Sequence, residues 1–194
     1  VILEVNDWQP AGVEGMHDIY YGTALPPHRR PIPLVNPDDR IGDTALRCDP
    51  SKIVAVVRTH GPDRNSPFNP ADATSQRIAA PLVEFLQHEV KAGRLPANLL
   101  PLQSGVGNIP NAVLAGLAAS GFRNLTAFTE VIQDGMLDLL REGVLDVASC
   151  TGFALSPAAN EAFKRDIAFY RERIIMRTQE MSNHPELVRR LGCI

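Results

Sequence analysis

From residue 99 to residue 191, short apolar runs alternate with helical segments, and the connections between them are brief. Strands are expected at 99–102, 125–128, 145–149 and 174–176. Helices are expected between and after them, at 108–120, 135–141, 157–170 and 185–191. Parallel neighbours need a crossover between them, and a helix is the usual crossover. The rhythm therefore predicts an α/β fold with mainly parallel sheets and flanking helices. In an open sheet of that kind, reactive groups collect where the strands end.

The residues before 99 are less regular. Residues 1–6 read as a strand, with Ile2, Leu3 and Val5 apolar. Residues 10–50 hold much Pro, Gly and Asp and no sustained period. Within them, Pro26, Pro27, Pro31 and Pro33 keep the 22–34 segment extended. A segment this long reads as a functional or interface loop, with Arg29 and Arg30 as surface or salt-bridge residues. Residues 53–57 have the clearest strand composition and are expected to be buried on both faces. The His60 to Pro70 stretch reads as a loop and a candidate linker. A helix is expected over 72–92, capped by Asp72 or Thr74 and ended by Gly93. Its apolar stripe is Ile78, Leu82, Phe85, Leu86 and Val90, and Pro81 should kink it or delay its start. The division expected is residues 1–70 and residues 71–194.

Composition excludes several classes. A net charge of −3 gives no general case for nucleic acid or an anionic membrane as partner. Three well-separated cysteines, Cys48, Cys150 and Cys193, make no disulfide framework, and no CxxC pair suggests zinc. No apolar run is long enough to span a bilayer, and no targeting segment is visible. The expected location is the cytoplasm, or the mitochondrion in a eukaryotic source. Both ends read as internal to a longer polypeptide.

Three places could carry chemistry. Gly105-Val106-Gly107-Asn108 lies between a strand and a helix, where backbone N–H groups can meet an anion or oxyanion. A dinucleotide fingerprint fails there, because Pro110 occupies the position of the third glycine. Glu130 follows a strand, so its carboxylate is a candidate base or nucleophile, or else a cap or surface group. Asp134 is the better cap for the next helix. The polar connection from Arg177 to Glu186 holds Asn183, an oxyanion or amide donor, and His184, a base, phosphate ligand or cap. Ser182 and Asn183 are also N-cap candidates for the following helix. Cys150 with His184 would make a thiol pair, but a buried inert cysteine is the simpler reading.

Taken together, the ordered motifs resemble the acetyl-CoA hydrolase/transferase family. They are Gly105 to Val113, Phe128 to Gly135 and Gln179 to Glu186, with Glu4-Val5-Asn6 and the His28 to Leu34 loop also matching. The resemblance covers essentially the whole chain. It implies parts of the two related domains of a CoA-transferase fold: the end of the first in residues 1–70 and the beginning of the second in 71–194. It implies Glu130 as the nucleophile, Asn183 as its assisting side chain, and Gly105, Val106, Gly107 and Asn108 as the loop lining the acyl and pantetheine site. The implied reaction moves CoA between a short acyl-CoA and a short carboxylate such as acetate. It runs through an acyl-glutamyl anhydride and a glutamyl-CoA thioester, with no metal and no permanently bound cofactor. Acetyl-CoA hydrolysis and a non-catalytic CoA or nucleotide-binding module are the alternatives. The family implies a homodimer at full length. Its later glycine-rich turn, which completes the oxyanion site, is missing from these residues, so the stretch alone is expected to be inactive. Pro110 stands where the family commonly has alanine.

Overall fold

The computed structural model describes residues 1–62 and 72–194. Most of the expected linker, and the domain boundary within it, lie outside the described residues.

A parallel sheet forms the centre. Its strands are β3 (Leu125–Phe128), β5 (Leu145–Cys150) and β7 (Ile174–Met176), in the order β3-β5-β7. Single parallel bridges extend it at both sides, from Leu102 to Ala127 on β3 and from His17 to Met176 on β7. The strand expected at 99–102 is therefore reduced to one bridge, because Leu99 turns into the left-handed region at φ 55° and leaves Leu102 to pair alone. Two short strands, β4 (Val131–Ile132) and β6 (Gly152–Phe153), pair in parallel just beyond β3 and β5.

Side chains alternate across the sheet, so each strand serves two cores. Leu125 and Ala127 join the larger cluster with Val83, Leu114, Met136, Phe163 and Tyr170. Those partners come from α1 (Ala73–Lys91), α2 (Asn108–Ala119), α3 (Asp134–Arg141), α4 (Pro157–Arg165) and α5 (Ile167–Arg171). Phe128 points the other way, into a smaller cluster with Ile32, Leu34, Met181, Leu187 and Leu191. That face is covered by the 32–34 segment together with α6 (Gln179–Ser182) and α7 (Pro185–Leu191).

The helices follow local chemistry, with some departures. Asp72 caps α1 by accepting from Ser75 N at 2.7 Å. Pro81 sits inside α1 without ending it or delaying its start. Gly116 lets α2 approach α1, since a Cβ there would lie 3.0 Å from Val83 Cγ2. The helix expected over 157–170 is two helices broken at Asp166, whose backbone leaves the helical region. Asp134 is not the cap of α3. Gln133 holds that position without a side-chain cap, and Asp134 instead accepts from Ser156 N at 2.9 Å.

A second, separate sheet pairs β1 (Ile2–Asn6) in parallel with β2 (Ala55–Thr59). The second strand begins two residues later than expected, and the expectation of burial on both faces is wrong. Val54, Val56 and Val57 are exposed, because among the described residues nothing covers this pair. Residues 11–43, by contrast, are drawn onto the central unit. Met16 enters the larger core, and the turn at Ala11–Val13 packs on α5.

Candidate active site

All the strands of the central sheet are parallel, so the residues after Leu102, β3, β5 and β7 emerge at one edge. That edge carries Ser104-Gly105, Thr129-Glu130, Thr151 and Arg177 to Gln179. The Leu102–Ala127 bridge makes the glycine turn and Glu130 direct neighbours. A placement at opposite ends, which would favour a purely structural role, does not occur.

The turn is fastened to the strand beside it. Thr129 Oγ1 donates to Ser104 O at 3.0 Å and accepts from Ser104 N at 3.3 Å. Gln133 does the same one turn further on. Its Nε2 donates to Gly105 O, and its Oε1 accepts from Gly107 N at 3.4 Å. Both side chains are buried, which makes such satisfied polar contacts rigid as well as specific. Gly107 itself lies at φ 142°, a backbone setting that L side chains rarely adopt, and it opens α2 without a side-chain cap. Of the first N–H groups of α2, that of Asn111 donates to Gly107 O, and Pro110 has none. Val106 stands exposed at its tip.

Glu130 is half-buried and held at three points. Its carbonyl accepts from Thr151 N at 2.8 Å and from Gly152 N at 3.2 Å. Its carboxylate accepts from two amides, Gln179 Nε2 on Oε1 at 2.8 Å and Asn183 Nδ2 on Oε2 at 3.0 Å. Glu130 is thus neither a helix cap nor a free surface carboxylate. Asn183, expected as its companion, is brought to it. Gln179 was not singled out as a site residue, and the only hint in the sequence was its four-residue spacing from Asn183. That spacing becomes a shared face only because α6, which was not expected, forms a single helical turn there.

Beneath α6, Arg177 is fully buried and paired with the equally buried Asp18 through Nη1. It also donates from Nε to Ser149 Oγ at 2.7 Å and from Nη2 to the carbonyls of Pro37, at 3.2 Å, and Asp39. Burial lowers the Arg177 pKa while Asp18 opposes that shift. The clamp fixes the start of the segment that carries Gln179 and Asn183.

The remaining candidates separate from this cluster. Cys150 is buried and its thiol is pushed up to about 12 by desolvation, so it is no nucleophile near neutral pH. His184 rather than Ser182 or Asn183 occupies the N-cap position of α7, without a side-chain cap. Its Nδ1 is buried without a hydrogen-bond partner. Among the described residues, no group of three or more His, Cys, Asp or Glu could hold a metal ion. None of their helices is long and apolar enough to cross a membrane.

No family model matches the chain. Individual proteins do. The succinyl-CoA:acetate CoA-transferase of Clostridium kluyveri is 50% identical over all 194 residues, which are 36% of that protein. An acetyl-CoA hydrolase of Neurospora crassa is 48% identical over the same residues, 37% of its length. Among solved structures, a 4-hydroxybutyrate CoA-transferase from Porphyromonas gingivalis superposes with a TM-score of 0.57 at 18% identity. It covers 97% of this chain and 38% of its own, and it speaks to the fold alone. The chain spans little more than a third of the curated relatives it matches. Along its entire length the chain is similar to part of this acetyl-CoA hydrolase and of this CoA-transferase.

Proposed function

We propose that Glu130 is the nucleophile that opens a short-chain acyl-CoA thioester. The observation that carries this reading is the double amide grip on its carboxylate, at a sheet edge beside an open glycine turn. One carboxylate oxygen attacks the thioester carbonyl, the C–S bond breaks, and CoA leaves as thiolate from an acyl-glutamyl anhydride. The attack needs one amide to release its oxygen. Asn183 Nδ2 then turns to the developing oxyanion, where it stabilises the transition state more than the ground state. Gly105, Val106, Gly107 and Asn108 line the approach of the acyl and pantetheine groups.

Water is the acceptor we favour. It attacks the anhydride, releases the carboxylic acid and returns Glu130 to its carboxylate, while the thiolate takes up the proton. Seven of the relatives carry the name acetyl-CoA hydrolase, and the two amide partners of the half-buried Glu130 are exposed. Transfer to a short carboxylate is the second reading, favoured by the name of the Clostridium kluyveri relative. There the thiolate attacks the glutamyl carbonyl and the first carboxylate leaves; a second carboxylate attacks the resulting glutamyl-CoA thioester and expels the thiolate, which then attacks the new acyl carbonyl and frees Glu130 as its carboxylate. Acetyl-CoA turnover measured with and without succinate separates the two. Hydrolysis proceeds undiminished without succinate, whereas transfer requires it. Mass analysis after acetyl-CoA addition and borohydride reduction should mark Glu130 in either case; a mark on Cys150 would remove Glu130 from the mechanism.

A further inference from the structure

A small pocket of about 160 Å3 lies between the 23–32 loop and the α6–α7 connection. Its polar lining is Thr23, Arg29, Arg30, Glu180, His184 and Glu186. Gln179 and Asn183 hold Glu130, and the residues that follow each of them, Glu180 and His184, face this pocket. Successive helical positions differ by about 100° in direction. One turn of backbone therefore separates the pocket from the reacting carboxylate.

The charges in the lining are unequally engaged. Glu186 is paired with Arg190, which also donates to the carbonyls of Ile32 and Leu34 and so ties the loop down. Arg29 and Arg30, expected as surface or salt-bridge residues, are exposed and have no ion pair or hydrogen bond among the described residues. Glu180 alone stands against both.

We propose that Arg29 and Arg30, beside His184, form a subsite for one anionic group, a carboxylate or a phosphate, on a substrate engaged at Glu130. Guanidinium groups bind such oxyanions through paired N–H donors. The volume admits a short carboxylate arm or a single phosphate. Prolines on both sides of the arginines limit what the loop loses on ordering. The choice of substrate rests on Glu130 as nucleophile; binding of the anion itself does not.

The test is the Arg29→Gln/Arg30→Gln double variant, with Arg29→Lys/Arg30→Lys as a partial rescue and a melting curve to confirm folding. Acetyl-CoA turnover is measured with succinate and with acetate, and succinate and inorganic phosphate binding are measured by calorimetry. Loss of paired, charge-assisted contacts should weaken the affected ligand by about tenfold or more. For a carboxylate site, the succinate KM and Kd rise by that factor while acetate and acetyl-CoA KM stay within about twofold. For a phosphate site, the acetyl-CoA KM and the phosphate Kd rise instead. Equal KM and Kd values in variant and parent, or no binding of either anion by the parent, overturn the proposal. Turnover is measured in the full-length protein, because the stretch alone is expected to be inactive; if Glu130→Gln leaves that turnover intact, the Glu130 reading has failed, and calorimetry alone still decides the pocket.

Discussion

The β1–β2 sheet and the central sheet are both parallel, are built from similar residues and are treated in opposite ways. In the β1–β2 pair, Ile2 is 67% exposed and Val56 58%. In the central sheet, Leu125, Phe128, Ala148 and Ile174 are all fully buried. Strand composition alone would rank 53–57 above β7. What differs is the cover: five helices on one face of the central sheet and α6, α7 and the 32–34 segment on the other. Strand propensity is a property of the residues, whereas burial depends on what arrives to pack against them. The reactive cluster sits on the covered sheet, where packing and buried polar contacts can hold side chains in fixed positions.

Substitutions can break or sharpen this contrast. The largest effect is expected from Glu130→Gln, which removes the proposed nucleophile at the edge of the covered sheet. Turnover should fall by at least about a thousandfold while thermal melting barely moves; appreciable retained activity would overturn the assignment. Phe128→Ala, two residues away and fully buried, should cost about 3–5 kcal/mol in urea unfolding. Arg177→Met leaves Asp18 buried without its partner and should cost on the order of 3 kcal/mol. Asp18→Leu also strips Ile41 N and Gly42 N of their acceptor, so the double variant should lose less than the sum of the two single variants; strict additivity would mean the pair is not coupled. The smallest effect belongs to the bare sheet, where Val56→Ala should change stability by less than about 0.5 kcal/mol. A loss near that of Phe128→Ala would show that β1–β2 is covered in solution.

The covered unit was legible wherever local signals were strong. Asp72 capping α1, the start of α2 at Asn108, and β3, β5 and β7 all follow from period, caps and apolar runs. The failures have two causes. The 99–102 strand and the 157–170 helix are broken by single backbone settings, at Leu99 and Asp166, and Asp134 is drawn to Ser156 N, 22 residues away, which periodicity does not record. At the site, Glu130, Asn183 and the glycine turn stood out by type and position. Gln133 and Thr129 did not, because their work is to bond the 104–107 backbone some 25 to 28 residues away in sequence. Gln179 was hidden in a connection whose helical turn exists only once Met181 is buried against Phe128 and Leu187.

That turn carries a consequence for change in length. Gln179 and Asn183 meet Glu130 only because four positions separate them, while Glu180 and His184 fall on the pocket side. Substitution at Glu180 leaves this register intact. Insertion or deletion of a single residue between Arg177 and Pro185 would rotate the succession by about 100° and offer Glu130 a different pair of side chains. Natural variation in this connection should therefore alter residue identities and preserve residue number, although it lies between secondary elements where length usually drifts.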